Sequence, residues 1–142
     1  MAGYSGTPLP KKLGIKPGHL VALLNAPPDF EDTLAGLPDG VTLREGLRGR
    51  GPFDVILLFA ERETVLRRRF QDAMARLAVD GGLWVGWPKK ASGRPTDLSD
   101  GLVRELGLET GLVDNKVCAI DATWSALRFV VRRQDREAWR AR

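Results

Sequence analysis

The chain has 142 residues, 43% of them hydrophobic and 28% charged, with 22 Lys and Arg against 18 Asp and Glu and a formal net charge of +4. A chain of this length buries roughly 70% of the surface its unfolded form exposes, which gives one core and excludes a disordered segment or a disulfide-stapled miniature. Cys118 is the only cysteine and His19 the only histidine, so an intrachain disulfide and a structural zinc held by four Cys or His ligands are excluded.

Thr7-Pro8 suits a helix start, since Thr can cap free N–H groups and Pro at the first helical position loses no bond; the turn or two it opens stops at Gly14. Lys16-Pro17-Gly18 is a turn, and His19 to Asn25 is a near-continuous apolar run of strand length, as expected for a buried central strand. Pro27-Pro28-Asp29 breaks it. Phe30, Leu34 and Leu37 then recur at helical spacing, and Val41-Thr42-Leu43 is a short strand ending at Arg44-Glu45.

A glycine-rich loop leads to Phe53–Phe59, the best strand in the chain, apolar on both faces. From Glu61 to Ala78 the period changes: Leu66, Phe70, Ala73 and Leu77 share one helix face, and Asp80-Gly81-Gly82 ends the helix. Leu83 to Trp87 reads as a third buried strand, Lys89 to Thr96 as a polar loop, and Leu102, Val103 and Leu106 as a helix capped by Asp97 or Ser99. Leu112 to Ile120 and Ser125 to Arg132 form a closing hairpin. Residues 1–131 are thus expected to form a single domain, with 1–17 an N-terminal arm carrying a short helix. Residues 132–142 hold five Arg against Asp135 and Glu137, a basic tail expected to be loose.

No apolar run approaches the ~20 residues of a membrane span, and the N-terminus lacks the basic and apolar regions of a secretory signal, so a cytoplasmic protein is expected. The body without its tail is nearly neutral, and the Arg67-Arg68-Arg69 run shares its helix with Glu61, Glu63 and Asp72. Nucleic-acid binding is not expected, and these arginines read as a solvated face.

Apolar strands alternating with helices imply right-handed crossovers and a mostly parallel sheet covered on both faces. The order resembles the methyltransferase variant of the Rossmann fold, with Lys16 to Leu24 similar to its opening strand and Phe53 to Val85 similar to its second half. The expected fold is therefore α/β: one Rossmann-like, methyltransferase-like three-layer domain with about six strands, mostly parallel, closed by a C-terminal antiparallel hairpin.

That resemblance implies S-adenosylmethionine bound at a glycine-rich turn after the first strand, where a missing Cβ lets the cofactor approach the backbone. Here the turn is Asn25-Ala26-Pro27-Pro28, without Gly-x-Gly and with two prolines that remove backbone donors, so no cofactor is expected. Glu45 stands where the family's ribose-binding acid would stand, and Asn25 and Glu61 are the other residues expected near a cofactor.

Open parallel sheets bind ligands at the carboxyl ends of their strands, and Trp87-Pro88-Lys89-Lys90-Ala91-Ser92-Gly93-Arg94 leaves the third buried strand there. Trp87, Lys89, Lys90, Ser92, Gly93 and Arg94 are therefore candidates for binding an anion, against the plainer reading of a solvated loop. Asp114-Asn115-Lys116 lies in or beside the penultimate strand, where alternation puts Asp114 and Lys116 on one face, as a polar edge or a weaker ligand site. Trp87 and Trp124, at strand ends, could line a pocket. Cys118 reads as a buried thiol and His19 as structural, with no metal site.

The runs Ala2 to Leu9, Gly82-Leu83-Trp84-Val85 with Trp87 to Gly93, and Gly111 to Asp121 resemble a bacterial family of short proteins grouped as a domain of unknown function. The resemblance implies a stand-alone bacterial domain and brings no catalytic residues with it. The expected function is a non-catalytic Rossmann-like module that binds a partner protein or a small anionic ligand at the strand ends. The alternative is a divergent S-adenosylmethionine-dependent methyltransferase-like enzyme.

Overall fold

A computed structural model describes residues 7–142, so most of the Ala2 to Leu9 run lies outside the described residues. A six-stranded sheet is ordered β2-β1-β3-β4-β6-β5. Its members are β1 (Leu20–Leu24), β2 (Thr42–Glu45), β3 (Phe53–Phe59), β4 (Leu77–Pro88), β5 (Val113–Ala119) and β6 (Trp124–Val130). The first four run parallel, while β6 pairs antiparallel with β4 and β5 antiparallel with β6. This is the expected doubly covered α/β sheet with a closing hairpin.

Alternation along the strands divides the core into two layers. Val21, Leu23 and Leu57 face one side, with Phe30 and Leu34 around α2 (Phe30–Thr33) and with Leu13 and Ile15 after α1 (Leu9–Lys12). Ala22, Leu24, Ile56 and Leu58 face the other, beneath Leu66 and Phe70 of α3 (Glu63–Met74) and Val103 and Leu106 of α4 (Asp100–Glu109). No polar residue is buried among those described. The α1 side is also pinned by a hydrogen bond, the Trp84 indole N–H donating to the Leu13 carbonyl at 3.0 Å.

Three expectations change. The helix α3 ends at Met74, and Asp80-Gly81-Gly82 lies inside β4 rather than stopping a helix. The β3–β4 register jumps from Phe53 opposite Leu77 to Val55 opposite Gly82. A Cβ at Gly81 would stand 2.8 Å from the Asp54 carbonyl oxygen, so the glycine is needed for the close approach of backbone at this irregularity.

The segment 132–142 is not loose. It forms a 3-10 turn (Arg133–Asp135) and α5 (Arg136–Arg140), and Trp139 packs against the α3/α4 core while its indole N–H donates to the Leu77 carbonyl at 2.8 Å. An amphipathic aromatic with one apolar face and one donor supplies what a purely charged tail would lack.

The chain returns from β2 to β3 through residues 46–52, with no helix. Two guanidiniums hold this crossover by its carbonyls: Arg44 donates to Arg48 and Arg50, and Arg76 to Leu47, Gly49 and Gly51. Both lie over the Phe53 ring, 5.8 and 5.2 Å from its centroid.

Candidate functional site

From β1 the chain moves out to β2 on one side and returns to β3 on the other, which makes the β1/β3 junction the switch point of the sheet. Two backbone turns leave the carboxyl ends of these strands and diverge. Asn25 takes the left-handed conformation, φ 57°, in the β1 turn, a conformation that Asn tolerates better than most residues. Phe59-Ala60-Glu61 leads from β3 into α3. Between them lies a cleft of about 880 Å³, within the ordinary size of small-molecule sites.

Its walls are Asn25 to Pro28, Phe59 to Arg62, Trp124 from the start of β6, and one face of α3. Phe59 packs edge-on between Phe30 and Trp124, at 4.8 and 5.1 Å between centroids, giving an apolar back wall. On α3, Val65, Arg68, Arg69 and Asp72 line the cleft at helical spacing. Arg69 reaches Asp72 at 3.4 Å. Arg62 and Arg68 form no ion pair among the described residues.

Arg69 also borders a smaller adjoining recess of about 270 Å³ with Asn25, Glu45 and Gly46. Glu45 ends β2 and follows Asn25 by about the twenty residues that separate turn and ribose acid in dinucleotide sites. The Gly46 N–H donates to the Leu23 carbonyl at 2.8 Å, which holds the Glu45 backbone against β1.

The loop after β4 is fastened over the mouth. Arg94 Nε donates to Glu61 Oε2 at 2.9 Å, Thr96 Oγ1 to the Glu61 carbonyl at 2.7 Å, and Asp97 accepts the Glu63 N–H at 2.8 Å, capping α3 from outside its own chain segment. The hydrogen bond to Glu61 pushes the Arg94 guanidinium above its ordinary value, so it stays charged.

Of the residues singled out by sequence, Asn25, Glu61, Arg94 and Trp124 meet in the cleft, and Glu45 lies in the adjoining recess. Trp87 is buried in the α3/α4 core. Ser92 Oγ donates to the Lys89 carbonyl at 2.6 Å and accepts from the Arg94 N–H at 3.1 Å, shaping a 3-10 turn that Gly93 closes at φ 72°. Lys89 and Lys90 do not line the cleft. Asp114, Asn115 and Lys116 lie on edge strand β5, and the β5–β6 register shifts between Asp114 and Lys116, which breaks their alternation. Asp114 pairs with Arg104 of α4 at 3.0 Å, while Lys116 lines a recess beside α1.

Arg62 is a cleft residue that the sequence reading did not single out, and Arg68 and Arg69, read there as a solvated face beside Asp72, line the cleft with it. Their one signal is that Val65, Arg68, Arg69 and Asp72 fall three or four apart, on a face that does not carry Leu66, Phe70 and Ala73.

No family model and no curated protein sequence matches this chain. Solved structures do. The N-methyltransferase NodS from Bradyrhizobium japonicum WM9 superposes with a TM-score of 0.58 at 16% identity, over 82% of this chain and 88% of that one. A SAM-dependent methyltransferase from Aquifex aeolicus gives 0.59 at 12%, over 84% and 85%. DhpI in complex with SAH gives 0.60 at 12%, over 86% and 81%. The fold is that of the Rossmann-like methyltransferases.

These neighbours overturn two expectations. A non-catalytic module was expected, yet the solved structures that share the fold are titled as methyltransferases. No cofactor was expected because the glycine turn is missing, yet one neighbour is a complex with SAH and another is titled SAM-dependent. The physical reason is that Asn25 adopts the left-handed turn without glycine, and the cleft it bounds is open.

Proposed function

We propose that this chain is a divergent S-adenosylmethionine-dependent methyltransferase-like enzyme, acting in the cytoplasm. The observation that carries the reading is the placement of a cleft of about 880 Å³ at the β1/β3 switch point, with Asn25 in its wall and Glu45 in the recess that adjoins it.

The residues fit the cofactor by their chemistry. Glu45 is an exposed carboxylate that accepts hydrogen bonds from vicinal hydroxyls, and Ala26 leaves room beside the turn. Arg69, at the join of the two recesses, offers a planar fork to a carboxylate. Pro27 and Pro28 provide no N–H, so the side chains of Asn25, Glu45 and Arg69 carry the polar contacts that a glycine turn would make with its backbone. Phe59 and Trp124 exclude water from the back of the cleft, and the Arg94–Glu61 pair narrows its mouth. When bound, S-adenosylmethionine supplies a methyl group activated by a sulfonium centre.

Calorimetric titration with S-adenosylhomocysteine tests the proposal. Saturable binding is expected, weakened about tenfold in Glu45→Ala, the loss of one or two hydrogen bonds to a charged acceptor. A folded wild-type protein that takes up none at millimolar ligand overturns it.

A further inference from the structure

A second recess, of about 490 Å³, opens at the opposite end of the sheet, beside the amino ends of β1 and β3. Four cations border it from separate parts of the chain: Lys12 of α1, Lys16 before β1, Lys116 of β5 and Arg128 of β6. Lys116 and Arg128 are register partners. Among the described residues none of the four forms an ion pair. The acids of the recess are Asp54, whose Oδ2 accepts the Leu20 N–H at 2.8 Å, and the exposed Asp80.

Arg128 is the unusual member. Its guanidinium lies against the β4 backbone where a side chain would otherwise stand, since a Cβ at Gly82 would come within 2.3 Å of Arg128 Nε. Among the described residues its side chain makes one hydrogen bond, a long one of 3.4 Å to the Oδ1 of Asn115, the residue at the β5 register shift. Half-burial pushes the guanidinium below its ordinary value, and no carboxylate offsets that cost. His19 adds a donor: its Nδ1 accepts the Lys16 N–H at 3.1 Å, which leaves Nε2 to donate.

We propose that this recess binds a compact polyanion, phosphoryl or polycarboxylate, between Lys116 and Arg128, with Lys12, Lys16 and the His19 Nε2–H completing the contacts. A planar fork set among point charges is the arrangement that takes multiply charged oxyanions, and the recess is of small-molecule size. The Asp114-Asn115-Lys116 stretch thereby gains a role: Asp114 ties β5 to α4, Asn115 steadies the guanidinium, and Lys116 faces the ligand. The site lies across the sheet from the cofactor cleft and does not rest on the methyltransferase reading.

The test is titration of the full chain with pyrophosphate and with citrate, followed by calorimetry and by backbone amide shifts in NMR. Expected are saturable binding of at least one probe, an affinity that falls as salt rises, and shifts at Gly82, Asn115 and Lys116. Lys116→Ala, an exposed change that leaves the fold intact, lowers affinity about tenfold, the loss of one charge-assisted contact. Gly82→Ala, which displaces the guanidinium, does the same. Preference for pyrophosphate assigns phosphoryl chemistry and preference for citrate polycarboxylate chemistry. No saturable binding, shifts confined to Asn25, Arg68 and Trp124, or unchanged affinity in both variants overturns the proposal.

Discussion

Arg94 and Glu61 meet at 2.9 Å across the mouth of the cleft, and the same guanidinium lies 5.4 Å from the centroid of the Trp124 ring. The pair joins the loop after β4 to the end of β3, so it sets the width of the mouth. Both side chains are nearly half exposed, at 46% and 40%, and water screens their attraction. Arg94→Ala is therefore expected to leave the urea midpoint nearly unchanged. Its effect is local: the indole N–H resonance of Trp124 shifts and exchanges faster with solvent. A large fall in urea midpoint would show that the contact is structural instead.

Gly107 sits inside α4, where alanine would normally improve the helix by about 1 kcal/mol. Here a Cβ would come within 2.0 Å of the Phe129 ring, which is fully buried and packed edge-on against Phe70 at 5.5 Å. Steric overlap wins, and Gly107→Ala is expected to destabilise by about 2 kcal/mol, read from urea denaturation.

Trp139→Ala tests the docked C-terminus. The indole contributes apolar contact and its bond to the Leu77 carbonyl, and Arg142 lies over the ring at 3.6 Å while donating to the carbonyls of Met74 and Leu77. A loss of about 2 kcal/mol is expected for a half-buried Trp with one hydrogen bond. Because the acceptors are neutral, the loss should be similar at low and high salt.

Burial pushes the Cys118 thiol above its ordinary value, outweighing the opposing pull of Lys12, Lys116 and Lys89. The folded thiol holds its proton more tightly than the unfolded one. Its contribution to stability is full below the unfolded value and fades as pH rises through the folded one. Alkylation with iodoacetamide near pH 8 should therefore be much slower in the native protein than in urea, and stability should decline on the alkaline side.

Strands β1 and β3 were legible because burial on both faces demands unbroken apolar runs, and a mostly parallel sheet followed from the alternation of strands with helices. The amino end of β4 was not. Asp80-Gly81-Gly82 is chemically a helix stop, and what makes it a strand is pairing with β3, where Gly81 admits the close Asp54 carbonyl. In the site, Glu45 and Asn25 were recognisable by their position after strands. Arg68 and Arg69 were not, since charges interleaved with Glu63 and Asp72 look the same facing solvent or facing a cleft. Trp139 shows a similar limit: one aromatic in a charged segment decides docking, and its partner, Leu77, is 62 residues away.

The crossover held by Arg44 and Arg76 returns the chain without adding anything outside β2, which remains the outermost strand on that side. A molecule lying against Glu45 accordingly keeps one flank in water. Small-molecule pockets enclose roughly 70–90% of a drug-sized ligand's surface. Occupancy at this margin should be brief, with ligand exchanging quickly and the bound fraction following its concentration rather than being carried along by the protein.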